Sequence, residues 1–284
     1  MIPTCGSVIG IDVGCSSTRR SSALCLLKWS GDAISWKISR FRALEPERAY
    51  EIARAVAGCH VISAAIDGPL RRNFDVIGHY RAAERMLTRR LRPLIGKPGQ
   101  SSTPVGRQLN RHANECVRHL RAHADVGNAR HGVPIAREAI VEAFPSSFLG
   151  MMIEAPEQLE ANRASRSDTY YQHLATTGRL RELIQHCLPG RLLKLDLSKI
   201  VNHDDRAAMV CALTALCVAA EDFMAVGDDD GWIVLPPRRF VQPRQAGLVV
   251  DNAKEEKEDG KTGRLHIECH RSSTNRSAEA SCPK

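Results

Sequence analysis

Two periodicities organise the chain. Residues 7–13 (SVIGIDV) form an apolar, β-branched run that predicts a buried strand. Residues 21–29 (SSALCLLKW) predict a second strand. Residues 31–41 (GDAISWKISRF) predict a third, alternating through Ile34, Trp36 and Ile38 after a Gly31-Asp32 turn. Three such runs in succession predict an antiparallel meander. The spacing then becomes helical over 47–58, through Tyr50, Ile52, Ala53, Val56 and Ala57, and stops at Gly58. Residues 60–70 (HVISAAIDGPL) return to an apolar strand that ends in Asp67. The order is strand, strand, strand, helix, strand, with an acid closing the first and fourth strands.

Further along, Arg81, Arg85 and Arg89 recur every four residues opposite Ala83, Leu87, Leu91 and Leu94, which predicts an amphipathic helix. A turn-rich connector (96–106, GKPGQSSTPVG) leads to a second helix over 107–124. Ile140-Val141-Glu142 reads as a short strand turned by Pro145. Residues 206–225 (RAAMVCALTALCVAAEDFMA) predict a small-residue apolar helix introduced by His203, Asp204 and Asp205. GDDDGWIVLPP (227–237) predicts one more strand. Beyond about residue 250 the polar, aperiodic sequence predicts a disordered tail over 250–284. The expected organisation is a single α/β domain over 1–249, a mixed sheet flanked by helices, with 68–137 as a basic, mostly helical insertion.

Composition narrows the class. Hydrophobic residues make up 43% and charged residues 25%, values ordinary for a soluble globular protein. No run approaches the roughly 18 apolar residues of a membrane span, so no membrane association is expected. The short apolar run at the N terminus lacks a basic flank and leads straight into Asp12, which reads as a strand and not a leader; a cytoplasmic location is expected. The ten cysteines are scattered, none with the two-residue gap of a zinc or redox motif. The net charge of +8 is unevenly spread: residues 68–137 carry fourteen Lys/Arg against four Asp/Glu, a balance of +10 that leaves −2 elsewhere. A basic middle on a near-neutral frame points to a polyanionic partner, with Arg71, Arg72, Arg81, Arg85, Arg89 and Arg90 as candidate phosphate contacts. The few aromatics there, Phe74 and Tyr80, argue against base-specific reading.

Asp12 and Asp67 each follow a mostly apolar strand, and a carboxylate is costly to desolvate unless a positive charge meets it. Strands ending at one sheet edge would bring such acids side by side, and a Mg²⁺ or Mn²⁺ ion would relieve their repulsion. Walker, HExxH and GxSxG motifs are absent.

The β-β-β-α-β order with these acids resembles the RNase H-like superfamily. More closely, GIDVGCSST, AIDGPL followed by RAAERML, VEAFPSSFLG, and RAAMVCALTA with GDDDGWIVLPP are similar to the family catalogued as domain of unknown function 429, a predicted RNase H-like nuclease group. The resemblance spans about Val8 to Pro237. It implies metal-dependent cleavage of nucleic-acid phosphodiesters, with Asp12, Asp67 and Glu142 as metal ligands. A further acid, Asp204 or Asp205, stands at the start of the last helix. The family pattern has Asp directly before the Ala-rich helix, whereas Arg206 intervenes here, so either acid fits. Two other readings share these residues. One is a catalytically silent nucleic-acid-binding or interaction module. The other is a nucleotide-binding protein of the actin, heat-shock chaperone and sugar kinase superfamily, whose phosphate-binding turn GIDVGCSST also resembles, although no second phosphate loop is present.

Overall fold

Nine strands and nine α-helices follow one another along the described part of the chain. The computed structural model describes residues 2–70, 80–96, 101–127, 135–159, 165–194, 196–228, 231–261 and 263–268. Arg71, Arg72 and Phe74 lie outside these residues, as does the tail from 269 onward.

The elements are β1 (Cys5–Asp12), β2 (Ser22–Ser30), β3 (Ala33–Phe41), α1 (Glu45–Val56) and β4 (Val61–Asp67). Then come α2 (Ala82–Thr88), α3 (Arg92–Ile95), α4 (Pro104–His123), β5 (Ile140–Ala143), α5 (Pro145–Met152), α6 (Arg166–Thr176) and α7 (Arg179–Cys187). The chain continues through β6 (Leu192–Leu193), α8 (His203–Ala219), β7 (Phe223–Asp228), β8 (Gly231–Leu235), α9 (Pro243–Glu258) and β9 (Arg264–Glu268). The strands form one mixed sheet in the order β6-β3-β2-β1-β4-β5-β8-β7-β9. β1, β2 and β3 are the antiparallel meander that alternation predicts, and β4, β5 and β8 extend the sheet parallel to β1. The protein is therefore α/β, with helices on both sides of a mixed sheet.

Strand alternation sorts side chains onto two faces. Val8, Cys25, Ala65 and Val141 pack beneath α8 with α5, α6 and α7. Ile9, Ile11, Ala64, Ile66 and Ile140 face the other way, against α1 and α4. On that second side α2, α3 and α9 cover β7 and β8 through Met86, Leu87, Val226, Ile233 and Val249. Within the basic segment 68–137, α4 is part of the fold: its Ala113, Cys116, Val117 and Leu120 lie in the core.

Two expectations are corrected. The apolar helix does not run to Ala225. It ends at Ala219, Glu221 adopts a left-handed backbone (φ 56°), and Phe223–Asp228 enter the sheet as β7. Nor is 250–268 a disordered tail. It holds most of α9 and all of β9, which pairs antiparallel with β7. Among the described residues no helix is long and apolar enough to cross a membrane.

Candidate metal centre

The site is assembled by register. Asp12 is the direct partner of Asp67 where β1 and β4 run parallel, so the two acids stand side by side at the same sheet edge. Each lies two residues beyond a position facing α8, Gly10 on β1 and Ala65 on β4, so both carboxylates face that helix. Gly10 lets α8 come down this far. A Cβ there would run into the Ala208 carbonyl and the Ala212 amide, both helix backbone. Ser63, on the same face of β4, fastens the other end of the contact by donating to the Ala215 carbonyl at 2.6 Å.

α8 begins directly over this edge. Asn202 caps it, its side chain accepting from the Asp205 amide at 3.2 Å, which places Asp204 and Asp205 in the first turn. The intervening Arg206 turns away: its Nε donates to the Ile200 carbonyl at 2.8 Å and its Nη2 to Gln172 at 3.0 Å. Asp205 pairs with Arg40 of β3 at 3.3 Å. Asp204 has no ion pair with the described residues, and neither Asp12 nor Asp67 does.

These acids are half-buried and crowd one another. Burial, then the charges of Asp67, Asp204 and Asp205 in that order, push the Asp12 carboxyl well above its ordinary range. Burial and Glu142 push Asp67 up to about 7, opposed by His203. Burial also raises Asp204 and Asp205, with His203 and Arg40 opposing it at Asp204 and Arg40 at Asp205.

Glu142 stands apart. It is the partner of Ile66, one residue short of Asp67, so it leaves the sheet on the opposite face. There Arg81 holds it with a two-pronged guanidinium, Nη1 at 2.8 Å and Nη2 at 2.5 Å, and the Leu70 amide donates at 3.4 Å. Arg81 is 4% exposed and also bonds Glu84, which in turn accepts from Ser101. Gly231 makes room for the fork, because a Cβ there would meet Arg81 Nη1 at 2.6 Å. Burial pushes the Glu142 carboxyl up even with Arg81 beside it.

Four of the arginines expected to contact phosphate form ion pairs within the fold. Arg81 is buried against Glu142 and Glu84. Arg85 of α2 and Arg89, just after it, converge on the fully buried Glu256 of α9, at 2.9 and 2.7 Å. Arg89 also reaches Glu255 and Asp259, and Arg90 pairs with Glu255. A guanidinium already neutralised by fixed carboxylates attracts phosphate weakly, and the acids come from the segment whose sequence gave no sign of packing. Arg71 and Arg72 lie outside the described residues.

Two cations missed by sequence reading act on the acids directly. Arg40 and Arg19 both lower the Asp204 carboxyl. On α4, the His112 Nδ1 lies 3.1 Å from the Gly14 carbonyl, and Asn110 donates to the Pro69 carbonyl at 2.8 Å. No local signal marks these contacts, since each joins segments more than forty residues apart.

Among the described residues no group of three or more His, Cys, Asp or Glu side chains is arranged to hold a metal ion. The donor chemistry nonetheless suits a hard cation. Mg²⁺ keeps several waters and needs only one or two carboxylates, and Asp12 and Asp67 are two adjacent, unpaired ones with Asp204 above them. Glu142 is not part of this set while Arg81 holds it. The loop after β1 is closed on itself: the Gly14 amide donates to Ser22, the Ser16 amide to Ser21, and the Thr18 and Arg19 amides to Ser16.

Set against known proteins, the chain matches no family model, no curated protein and no solved structure.

Proposed function

We propose that the protein is a divalent-metal-dependent hydrolase of nucleic-acid phosphodiester bonds, built on an RNase H-like fold. The observation that carries this reading is the parallel pairing of Asp12 with Asp67 beneath the first turn of α8, with no ion pair to either acid among the described residues. The meander, helix and parallel fourth strand support the fold assignment, and the chemistry is inferred from the resemblance of its motifs to domain of unknown function 429. A divalent ion held at this edge would activate a water and stabilise the leaving oxygen. Asp12 and Asp67 would supply the charge that holds it, and Asp204, which lacks the 3.3 Å ion pair that Arg40 makes with Asp205, would complete the set. Half-burial excludes part of the solvent and strengthens each electrostatic contact at the edge.

The nucleotide-binding alternative loses support from the closed β1–β2 loop, whose amides are spent on its own hydroxyls instead of facing outward. The silent-module alternative draws support from the Arg81–Glu142 pair, which removes one expected ligand.

The test is cleavage of single-stranded, duplex, hybrid and branched substrates in Mn²⁺, alongside calorimetric titration of Mn²⁺ into the protein. Wild type is expected to cleave at least one substrate, and Asp12→Asn and Asp67→Asn to lose both cleavage and Mn²⁺ binding while staying folded. Metal binding without any cleavage would select the silent module. Absence of metal binding would overturn the site itself.

A further inference from the structure

We infer that Arg40 of β3, with Arg19 beside it, is a clamp that grips a backbone phosphate of the nucleic-acid strand next to the aspartates. This deepens the hydrolase reading above and rests on it. Register sets Arg40 in line with the acids. Across the sheet Asp67 pairs with Asp12, Asp12 with Ala23 and Ala23 with Arg40. Paired residues share a face, and Ala23 packs beneath α8, so Arg40 leaves β3 on the face that carries both carboxylates. It stands two strands, about 10 Å, from Asp12, with the small Ala23 between them in the row. From there it reaches the first turn of α8, where its Nε lies 3.3 Å from Asp205 Oδ1. Its charge acts on Asp204 as well as on Asp205. The loop that carries Arg19 is tied to the same end of β3. The Ser16 carbonyl accepts from the Ala43 amide at 2.8 Å, and the Ser16 hydroxyl from the Arg19 amide at 3.0 Å. Arg19 also acts on Asp204.

The manner of pairing sets these two apart from the arginines in and after α2. Arg81, Arg85 and Arg89 each spend Nη atoms on hydrogen bonds to carboxylates. Arg40 touches Asp205 through Nε alone and makes no hydrogen bond to it. Neither of its Nη atoms has a partner among the described residues, and Arg19 has no ion pair among them. Both side chains are exposed. An open guanidinium fork, with parallel N–H groups, is the geometry that grips a phosphate. The charge balance calls for it. Asp12, Asp67, Asp204 and Asp205 against one divalent ion leave two formal negative charges at the edge, which Arg19 and Arg40 offset. Without them an ion-loaded edge repels a phosphodiester. The clamp meets charge and not bases, so binding is sequence-tolerant and strongly salt-dependent. Arg121, in the last turn of α4, is exposed and unpaired as well, but it lies outside the charges that act on the aspartates.

The test is fluorescence anisotropy in EDTA, where cleavage is silent, with a labelled single-stranded DNA of about 20 nucleotides and its duplex, titrated at several salt concentrations. Arg19→Gln/Arg40→Gln is expected to weaken binding by at least about tenfold and to lower the salt dependence by nearly two released counterions. Arg40→Lys keeps the charge and loses the fork, so it is expected to retain the salt slope and only part of the affinity. Asp205→Asn releases Arg40 and is expected to bind at least as tightly as wild type. Arg121→Gln, remote from the edge, is expected to stay within about twofold of wild type. Thermal melting verifies that the exposed substitutions leave the fold intact. Unchanged affinity in the double variant would overturn the inference, as would a wild type that binds neither probe. So would a loss in Arg121→Gln as large as in Arg40→Gln, or equal losses in Arg40→Gln and Asp205→Asn, the mark of an arginine that merely braces Asp205. Cleavage in Mn²⁺ is read separately. Arginine-dependent binding without cleavage keeps the clamp and selects the silent module, whereas cleavage abolished by Asp12→Asn with binding indifferent to the arginines removes the clamp alone.

Discussion

Replacing Asp67 by Asn removes one of two facing carboxylates, and the structure sets the sign of the effect. The Asp67 carboxyl moves from its ordinary 3.8 to about 7 in the folded chain, because of burial first and Glu142 second. A raised carboxyl holds its proton more tightly when folded than when unfolded. Its contribution to stability is full below about pH 4 and is lost as pH rises through about 7. The shift corresponds to at most about 4 kcal/mol. Asp12 shares the same repulsion and water reaches the edge, so a loss of about 2 kcal/mol between about pH 5 and pH 8 is the expected size. Urea denaturation in EDTA measures it directly. Wild type is expected to lose this stability across the window, and Asp67→Asn to lose clearly less, so that at about pH 8 the variant is the more stable protein. Saturating Mn²⁺ should reverse the order by stabilising wild type alone. A metal-free variant less stable than wild type at about pH 8, or a wild type whose stability climbs through the window, would refute the reasoning.

Two further outcomes follow from the packing around the site. Arg81→Ala leaves Glu142 and Glu84 buried without their cation and is expected to cost about 3–5 kcal/mol in chemical denaturation; a loss near zero would show that the fork is not the anchor of α2. Gly10→Ala forces α8 off β1 and is expected to destabilise by at least about 2 kcal/mol and to weaken Mn²⁺ binding, since Asp204 moves away from Asp12; unchanged affinity would detach Asp204 from the site.

The first half of the fold was readable from local pattern. β1 to β4 and α1 each carry one clear period, and the turns between them are marked by Gly31 and Gly58. The apolar runs also indicated that Asp12 and Asp67 close their strands. The boundary between α8 and β7 was not readable, because Ala219 to Ala225 is apolar enough for either element and the turn is made by Glu221 without a glycine or proline. α9 was missed for a different reason. Its polar sequence packs because Gln245 and Asn252 are buried on distant carbonyls and Glu256 meets Arg85 and Arg89, contacts that span more than ninety residues.

The site divides in the same way. Local sequence, through apolar runs that each end in a carboxylate, was sufficient to nominate Asp12 and Asp67, because the cost of burying a charge is a property of the strand itself. Which acids meet was decided by the assembled sheet. Register joined Asp12 to Asp67 and displaced Glu142 by one residue, and in a strand one residue is the difference between two faces of the molecule. On the far face Glu142 met Arg81, and the arginines of α2 met the acids of α9, so charge that looked available along the chain is neutralised in the fold. Long-range pairing of opposite charges leaves no trace in local periodicity, which is why the tertiary structure alone could choose between them.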